Sequence, residues 1–208
     1  VDGRTLGNFF REEIAEPLGA DFHIGLAPSE DHRVARLEAP DRSIDRILDV
    51  EPESIAMRTF RSCVLDGTET ETSEWRRAEI PAAGGIGNAR SISRVHSAIA
   101  CGGTVDGVTL MDVSTIEEAL ERQTFDRDLV LGLNVPYGTG FGVNHERLPL
   151  TPSEKTLYWF GWGGSMGVID LDERITVSYA MNKMAGGLVG DDRAFNLVAA
   201  VYAAIGKS

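Results

Sequence analysis

Four glycines fall within seven positions, at Gly161, Gly163, Gly164 and Gly167, inside an otherwise apolar and β-rich stretch that runs from Tyr158 to Met184. Glycine in a strand forfeits side-chain packing and backbone entropy, so this density marks a place where something approaches the backbone closely. The surrounding pattern breaks at Asp170 to Arg174, which predicts two β-strands joined by a tight turn, with the glycine-rich segment inside the first. A substrate lying along that backbone is the occupant this reading expects.

The rest of the chain supplies helices first. Thr5 is placed to cap a helix whose apolar residues Leu6, Phe9, Phe10, Ile14 and Leu18 recur at helical spacing, with Pro17 and Gly19 at its end. Residues 27–52 show no sustained period and read as a long irregular connection or the rim of a site. A second helix is predicted from Ser54 to Leu65, then a polar loop from Gly67 to Glu74. Asn88 is an N-cap for a helix with Ile92, Val95, Ile99 and Ala100 on its buried stripe, stopped by Gly102 and Gly103. A short helix from Ser114 to Gln123 carries a capping box, Ser114 with Glu117. Tyr137 to Asn144 alternates glycine with larger residues and reads as a strand. The last helix starts at Asp191 or Asp192 and buries Phe195, Val198, Val201, Tyr202 and Ile205.

Helices therefore dominate residues 1–131, and residues 132–208 hold antiparallel strands with a C-terminal helix. That is an α+β pattern. Three strands and one helix make a thin layer, so a sheet face or edge needs cover from elsewhere.

Charge narrows the partners. With 20 Lys and Arg against 32 Asp and Glu the formal net charge is −12, which argues against a nucleic-acid backbone or an anionic membrane surface. No apolar run approaches the ~20 residues of a membrane helix. Cys63 and Cys101 lie inside helical patterns and read as buried thiols, which fits a reducing, cytoplasmic compartment.

Several motifs lead nowhere. Gly85-Ile86-Gly87 has Arg90 where the third glycine of a dinucleotide loop belongs, and no predicted strand precedes it. The four histidines, His23, His32, His96 and His145, have no metal-ligand spacing, so neither a cofactor nor a metal is expected. Gly163-Gly164-Ser165-Met166-Gly167 matches the Gly-x-Ser-x-Gly nucleophile elbow, but the elbow needs a helix after the serine and a histidine later in the chain. A predicted hairpin follows instead, and the last histidine is His145. A different role suits Ser165: its backbone N–H, offered beside small residues, can donate to the oxyanion of an acyl-transfer intermediate.

These residues carry a family resemblance. VDGRTLGNFFREEIAEPLGAD, GGIGNARSISRVHSAIACGGTVDGVTL, YGTGFGVN and FGWGGSMGVIDLDERITVSYAMNKM, in this order, resemble the C-terminal part of the serine β-lactamase and penicillin-binding-protein superfamily, in particular the class C β-lactamase-like carboxylesterases known as family VIII esterases. The resemblance implies a β-lactamase/transpeptidase-like fold and an acyl-enzyme mechanism on an ester substrate. In that family a Ser-x-x-Lys helix holds the nucleophile and its base, a tyrosine motif assists proton transfer, and a third motif completes the pocket. Trp162-Gly163-Gly164 stands at the third motif, and the resemblance makes the Ser165 N–H an oxyanion donor. Tyr137 and Phe160 are candidates for the pocket lining or for the sheet core.

Two motifs of the family have no counterpart here. Lysine occurs at 155, 183 and 207, and the residues three before are Pro152, Ala180 and Ala204. Tyr137, Tyr158, Tyr179 and Tyr202 lead two positions on to Thr139, Phe160, Met181 and Ala204. The expectation is a distal portion of a longer enzyme, inactive alone, whose upstream segment brings nucleophile, lysine and tyrosine and completes the sheet layer. Trp162 in place of a lysine favours esters over β-lactams, since a flat apolar wall replaces a cation. A β-lactamase or penicillin-binding-type amidase, and a non-catalytic relative that binds through the same cleft, are the alternatives.

Overall fold

A computed structural model of the chain describes residues 2–41, 51–62 and 65–207. Cys63, Val64 and residues 42–50 of the irregular connection predicted over 27–52 lie outside these residues.

Helix α1 comprises α-helical Leu6–Phe10, a π-helical stretch Arg11–Ala15 and a last turn Glu16–Leu18. Thr5 caps it through its hydroxyl, and Gly19, at φ +64°, ends it in the left-handed conformation. Strand β1, Phe22–Ile24, follows and leads to a 3-10 turn, Pro28–Arg33. Helix α2, Ile55–Ser62, begins after Ser54, whose hydroxyl accepts from the Met57 N–H at 3.1 Å. The predicted polar loop from Gly67 is more regular than expected. It contains a 3-10 turn, Thr68–Glu71, and runs into helix α3, Ser73–Arg77, because the Thr72 hydroxyl caps Trp75.

Gly85–Gly87 is itself a strand, β2, antiparallel to β1. Its glycines leave room for the Phe22 ring, which a Cβ at Gly85 would meet at 2.5 Å. The spacing that resembled a phosphate loop is thus a seat for an aromatic ring. Helix α4, Ala89–Ala100, starts at the predicted cap, with Asn88 Oδ1 accepting from the Ser91 N–H at 2.9 Å. A small hairpin, β3 Thr104–Val105 and β4 Val108–Thr109, leads to helix α5, Val113–Leu120. Here the capping box fails: Asp112 occupies the N-cap, so Ser114 already lies inside the helix.

Among the described residues the principal sheet has four antiparallel strands, not three, in the order β5-β6-β7-β8. They are Gly142–Val143, Thr156–Phe160, Met166–Asp170 and Ile175–Tyr179. The predicted strand over 137–144 shrinks to β5, since Gly140 sits at φ +79° and turns the chain. The larger correction concerns the glycine-rich segment, of which only Gly167 is in a strand. Gly163 and Gly164 take φ +90° and +117°, values that no extended strand adopts, and residues 161–165 form the turn between β6 and β7.

Both faces of this sheet are covered. Tyr158, Met166, Val168 and Val177 pack on Ala194, Val198 and Tyr202 of the final helix α6, Asp192–Ala204. On the opposite face Val143, Leu157 and Ile169 meet Ile99 and Ala100 of α4 and Ile116 of α5. The expected bare apolar face is therefore reduced to a fringe at Trp159, which is 40% exposed and leans on Tyr137. An edge does remain: β8 has no further strand beside it among the described residues. No helix among these residues is long and apolar enough to cross a membrane.

Candidate active site

The tip of the β6–β7 hairpin forms one wall of a cleft of about 960 Å³. Gly161, Trp162 and Ser165 face it from the turn, and Ala180, Met181, Asn182 and Met184 extend that wall after β8. The opposite wall is built by Phe22 and His23 of β1, Gly85 to Gly87 of β2, and Ile92 of α4. Arg33, Glu71 and Trp75 also line it.

The turn owes its shape to short backbone bonds. Gly161 N–H donates to the Ser165 carbonyl at 2.7 Å, and Gly164 N–H donates to the Gly161 carbonyl at 3.1 Å. Together they close a three-residue loop over Trp162, Gly163 and Gly164. The Ser165 N–H is left over, with no acceptor among the described residues. Its side chain is occupied, since the Ser165 hydroxyl accepts from the Met181 N–H at 3.4 Å. No histidine is bonded to that hydroxyl, and β7 follows it directly, so the elbow geometry is absent here. Trp162 lines the cleft, and its indole N–H is buried without a partner among the described residues.

The loop tip is docked on the segment that follows β8. Gly163 N–H donates to the Gly187 carbonyl at 3.1 Å, and Ala185 N–H donates to the Gly163 carbonyl at 2.8 Å. Arg193, on the first turn of α6, adds a side-chain bond from Nη2 to the same Gly163 carbonyl at 3.0 Å, while Nη1 reaches the Lys183 carbonyl at 2.9 Å. Arg193 is held in turn by Asp191, the N-cap of α6, whose carboxyl the guanidinium holds below the usual carboxylate range.

Across the cleft, His23 Nε2 lies 3.1 Å from Asp21 Oδ1, and Arg33 pairs with the other carboxylate oxygen. That guanidinium, and then His23, keep the Asp21 carboxyl low. Sequence reasoning passed over this trio, although Asp21 and His23 stand two residues apart at the start of β1. Arg193 was missed for a better reason, because nothing local points to a carbonyl 30 residues away.

Of the predicted pocket residues, neither Tyr137 nor Phe160 lines the cleft. Tyr137 donates its hydroxyl to Asp128 at 2.9 Å and packs on Trp159. Phe160 points to the α6 face, in edge contact with Phe195, because the alternation of β6 turns it away from the cleft side. Gly163 and Gly164 are buried behind the wall that Trp162 and Ser165 present.

Helices on both faces of an antiparallel sheet, with a cleft at the tip of a glycine hairpin, define the β-lactamase/transpeptidase-like class of folds. The chain matches the Beta-lactamase family over residues 1–201 and belongs to it. Among curated proteins it is 30% identical over 206 residues to the esterase/β-lactamase LipL of Mycobacterium tuberculosis, a match covering 93% of this chain and 47% of LipL. A penicillin-binding-protein homologue from Caulobacter crescentus superposes with a TM-score of 0.84 at 37% identity, covering 98% of this chain and 53% of the homologue. A family VIII carboxylesterase superposes at 0.83 with 33% identity, covering 97% of this chain and 52% of the esterase. The chain thus spans about half the length of the relatives it matches.

Proposed function

We propose that this chain forms the oxyanion and third-motif half of a serine hydrolase that cleaves carboxylic esters through an acyl-enzyme. The observation that carries this reading is the unengaged Ser165 N–H, held at a hairpin tip on the wall of the cleft beside Trp162. A preorganised N–H of this kind is worth most where charge develops, on the carbonyl oxygen of a tetrahedral intermediate. Trp162 offers a flat apolar surface to the acyl or alcohol part of the substrate. The nucleophilic serine, its lysine and the tyrosine then belong to sequence outside these residues, on an upstream segment that completes the cleft. Likeness to an esterase/β-lactamase and to a family VIII carboxylesterase supports the ester reading.

The penicillin-binding-protein homologue, at 37% identity, favours a second reading, an amidase acting on β-lactam-like substrates through the same cleft. Turnover of short-chain p-nitrophenyl esters against nitrocefin by the full-length protein separates the two. Ester turnover well above lactam turnover is expected, and exclusive lactam hydrolysis would reverse the assignment. A fluorophosphonate probe should label one serine outside the 208 residues. Labelling of Ser165 would restore the elbow and sink the oxyanion role.

A further inference from the structure

The structure assigns Arg193, braced by Asp191, as a positioning residue that aims the Ser165 N–H into the cleft, an inference that rests on the oxyanion reading above. The problem it addresses is one of entropy. Gly163 and Gly164 immediately precede the donor, both at positive φ, and glycine backbones are the least able to hold a direction by themselves. A donor that wavers by an ångström loses much of its value in a transition state.

Four contacts remove that freedom. The Gly163 carbonyl accepts from Ala185 N–H at 2.8 Å and from Arg193 Nη2 at 3.0 Å, so the 163–164 peptide plane is held by two donors. Arg193 Nη1 bonds the Lys183 carbonyl at 2.9 Å, which ties the hairpin tip to the segment after β8 through one rigid fork. The Asp191 carboxylate closes against Gly164, leaving no space for a Cβ there. Gly164 thus joins the clamped 163–164 peptide to the 164–165 peptide that carries the Ser165 N–H, with Asp191 packed against it.

The division of labour within Asp191 points the same way. Its Oδ1 performs the helix cap, accepting from the Arg193 and Ala194 N–H groups at 2.9 and 3.3 Å. Capping needs no more than that. Oδ2 is spent on the guanidinium, accepting from Arg193 Nε at 2.9 Å and pairing also with Nη2. The Arg193 ring-face contact with Tyr179, 5.7 Å from its centroid, fixes the fork from the side. Arg193 remains 40% exposed while Asp191 is 14% exposed, so water screens the pair from the guanidinium side and limits what it adds to stability. Geometry at the hairpin tip is what the pair supplies.

The test compares Arg193→Ala and Arg193→Lys with the unaltered full-length protein, on a p-nitrophenyl ester and on the matching thionoester. Sulfur is a poor hydrogen-bond acceptor, so the thionoester reports turnover without much help from an oxyanion donor. Arg193→Ala should lower kcat on the oxygen ester roughly 10- to 100-fold with KM changed less than about threefold, as loss of a transition-state contact does. Thionoester turnover should fall much less, so the oxygen-to-sulfur ratio drops, while the unfolding temperature stays near that of the unaltered protein. Lysine reaches one carbonyl and not two, so Arg193→Lys should recover part of the loss, and millimolar guanidinium should rescue the alanine variant. Unchanged kcat, or a parallel loss on both esters with a lowered unfolding temperature, would reduce Arg193 to a structural residue. An unaltered protein that turns over neither ester would instead remove the oxyanion reading itself, and the clamp's catalytic use with it.

Discussion

Gly167 shows what a single missing side chain arranges. It is the second residue of β7, beneath α4, where a Cβ would stand 2.7 Å from Cε1 of His96. The imidazole fills the space that any larger residue on the strand would take. Gly167→Ala should therefore destabilise the protein by about 1–3 kcal/mol through overpacking. In a His96→Ala background the same change should cost far less, and urea unfolding of the four-member cycle measures the coupling. Equal costs in both backgrounds would show that the glycine is kept for its backbone alone. Gly163 and Gly164 are the contrasting case: their positive φ values forbid a side chain before space is considered. In the sequence these three glycines look alike, so the pattern alone places the hairpin tip inside a strand.

Elements were legible in proportion to how local their signals are. The caps at Thr5, Asn88 and Asp191 stand where expected, because a cap is decided within three or four residues. The Asp170 to Arg174 turn also stands as predicted, since Asp170 Oδ1 accepts from the Glu173 N–H at 2.9 Å across that turn. What the pattern could not carry is how elements meet. Helix α6 is an example: beyond its apolar stripe, Tyr202 donates its hydroxyl to Asp170 Oδ2 at 2.5 Å inside the protein. Asp170 has no exposed surface, so removing that donor leaves a buried carboxylate oxygen short of a partner. Tyr202→Phe should cost about 1–3 kcal/mol, more than an exposed hydrogen bond would. A urea midpoint lowered with an unchanged slope would bear this out, and no shift would mean water replaces the phenol. The missing Ser-x-x-Lys and tyrosine motifs were equally legible, because a motif's absence needs only a scan of the residues. The Arg193 fork and the His23–Asp21–Arg33 trio were not, since each depends on which loops the fold brings together.

At the scale of the whole molecule, two opposite electrostatic effects act when the pH falls from 7. The net charge of −12 repels itself, and protonating carboxylates relieves that repulsion, which by itself would make the protein more stable in mild acid. His96 pulls the other way. Burial between α4 and the sheet lowers its pKa from 6.5 to about 4, and its Nδ1 has no partner among the described residues. Between those two values the unfolded chain binds a proton that the folded chain refuses, so stability rises with pH across the window and is lost as the pH falls through it. The full span corresponds to about 3 kcal/mol, at about 1.4 kcal/mol for each tenfold change in proton affinity. Surface repulsion is diffuse and cut off beyond about 8 Å at physiological salt, so the buried imidazole should win. Paired carboxylates such as Asp21 and Asp191 have pKa values held below the ordinary 3.8, by Arg33 and Arg193 respectively, and act only at lower pH. Stability from urea unfolding should therefore decline between pH 6.5 and 4 in 0.15 M salt, with His96→Leu abolishing the decline. A variant that keeps the same slope would move the acid sensitivity to some other group, and stability rising toward pH 5 would mean that net charge outweighs one buried histidine.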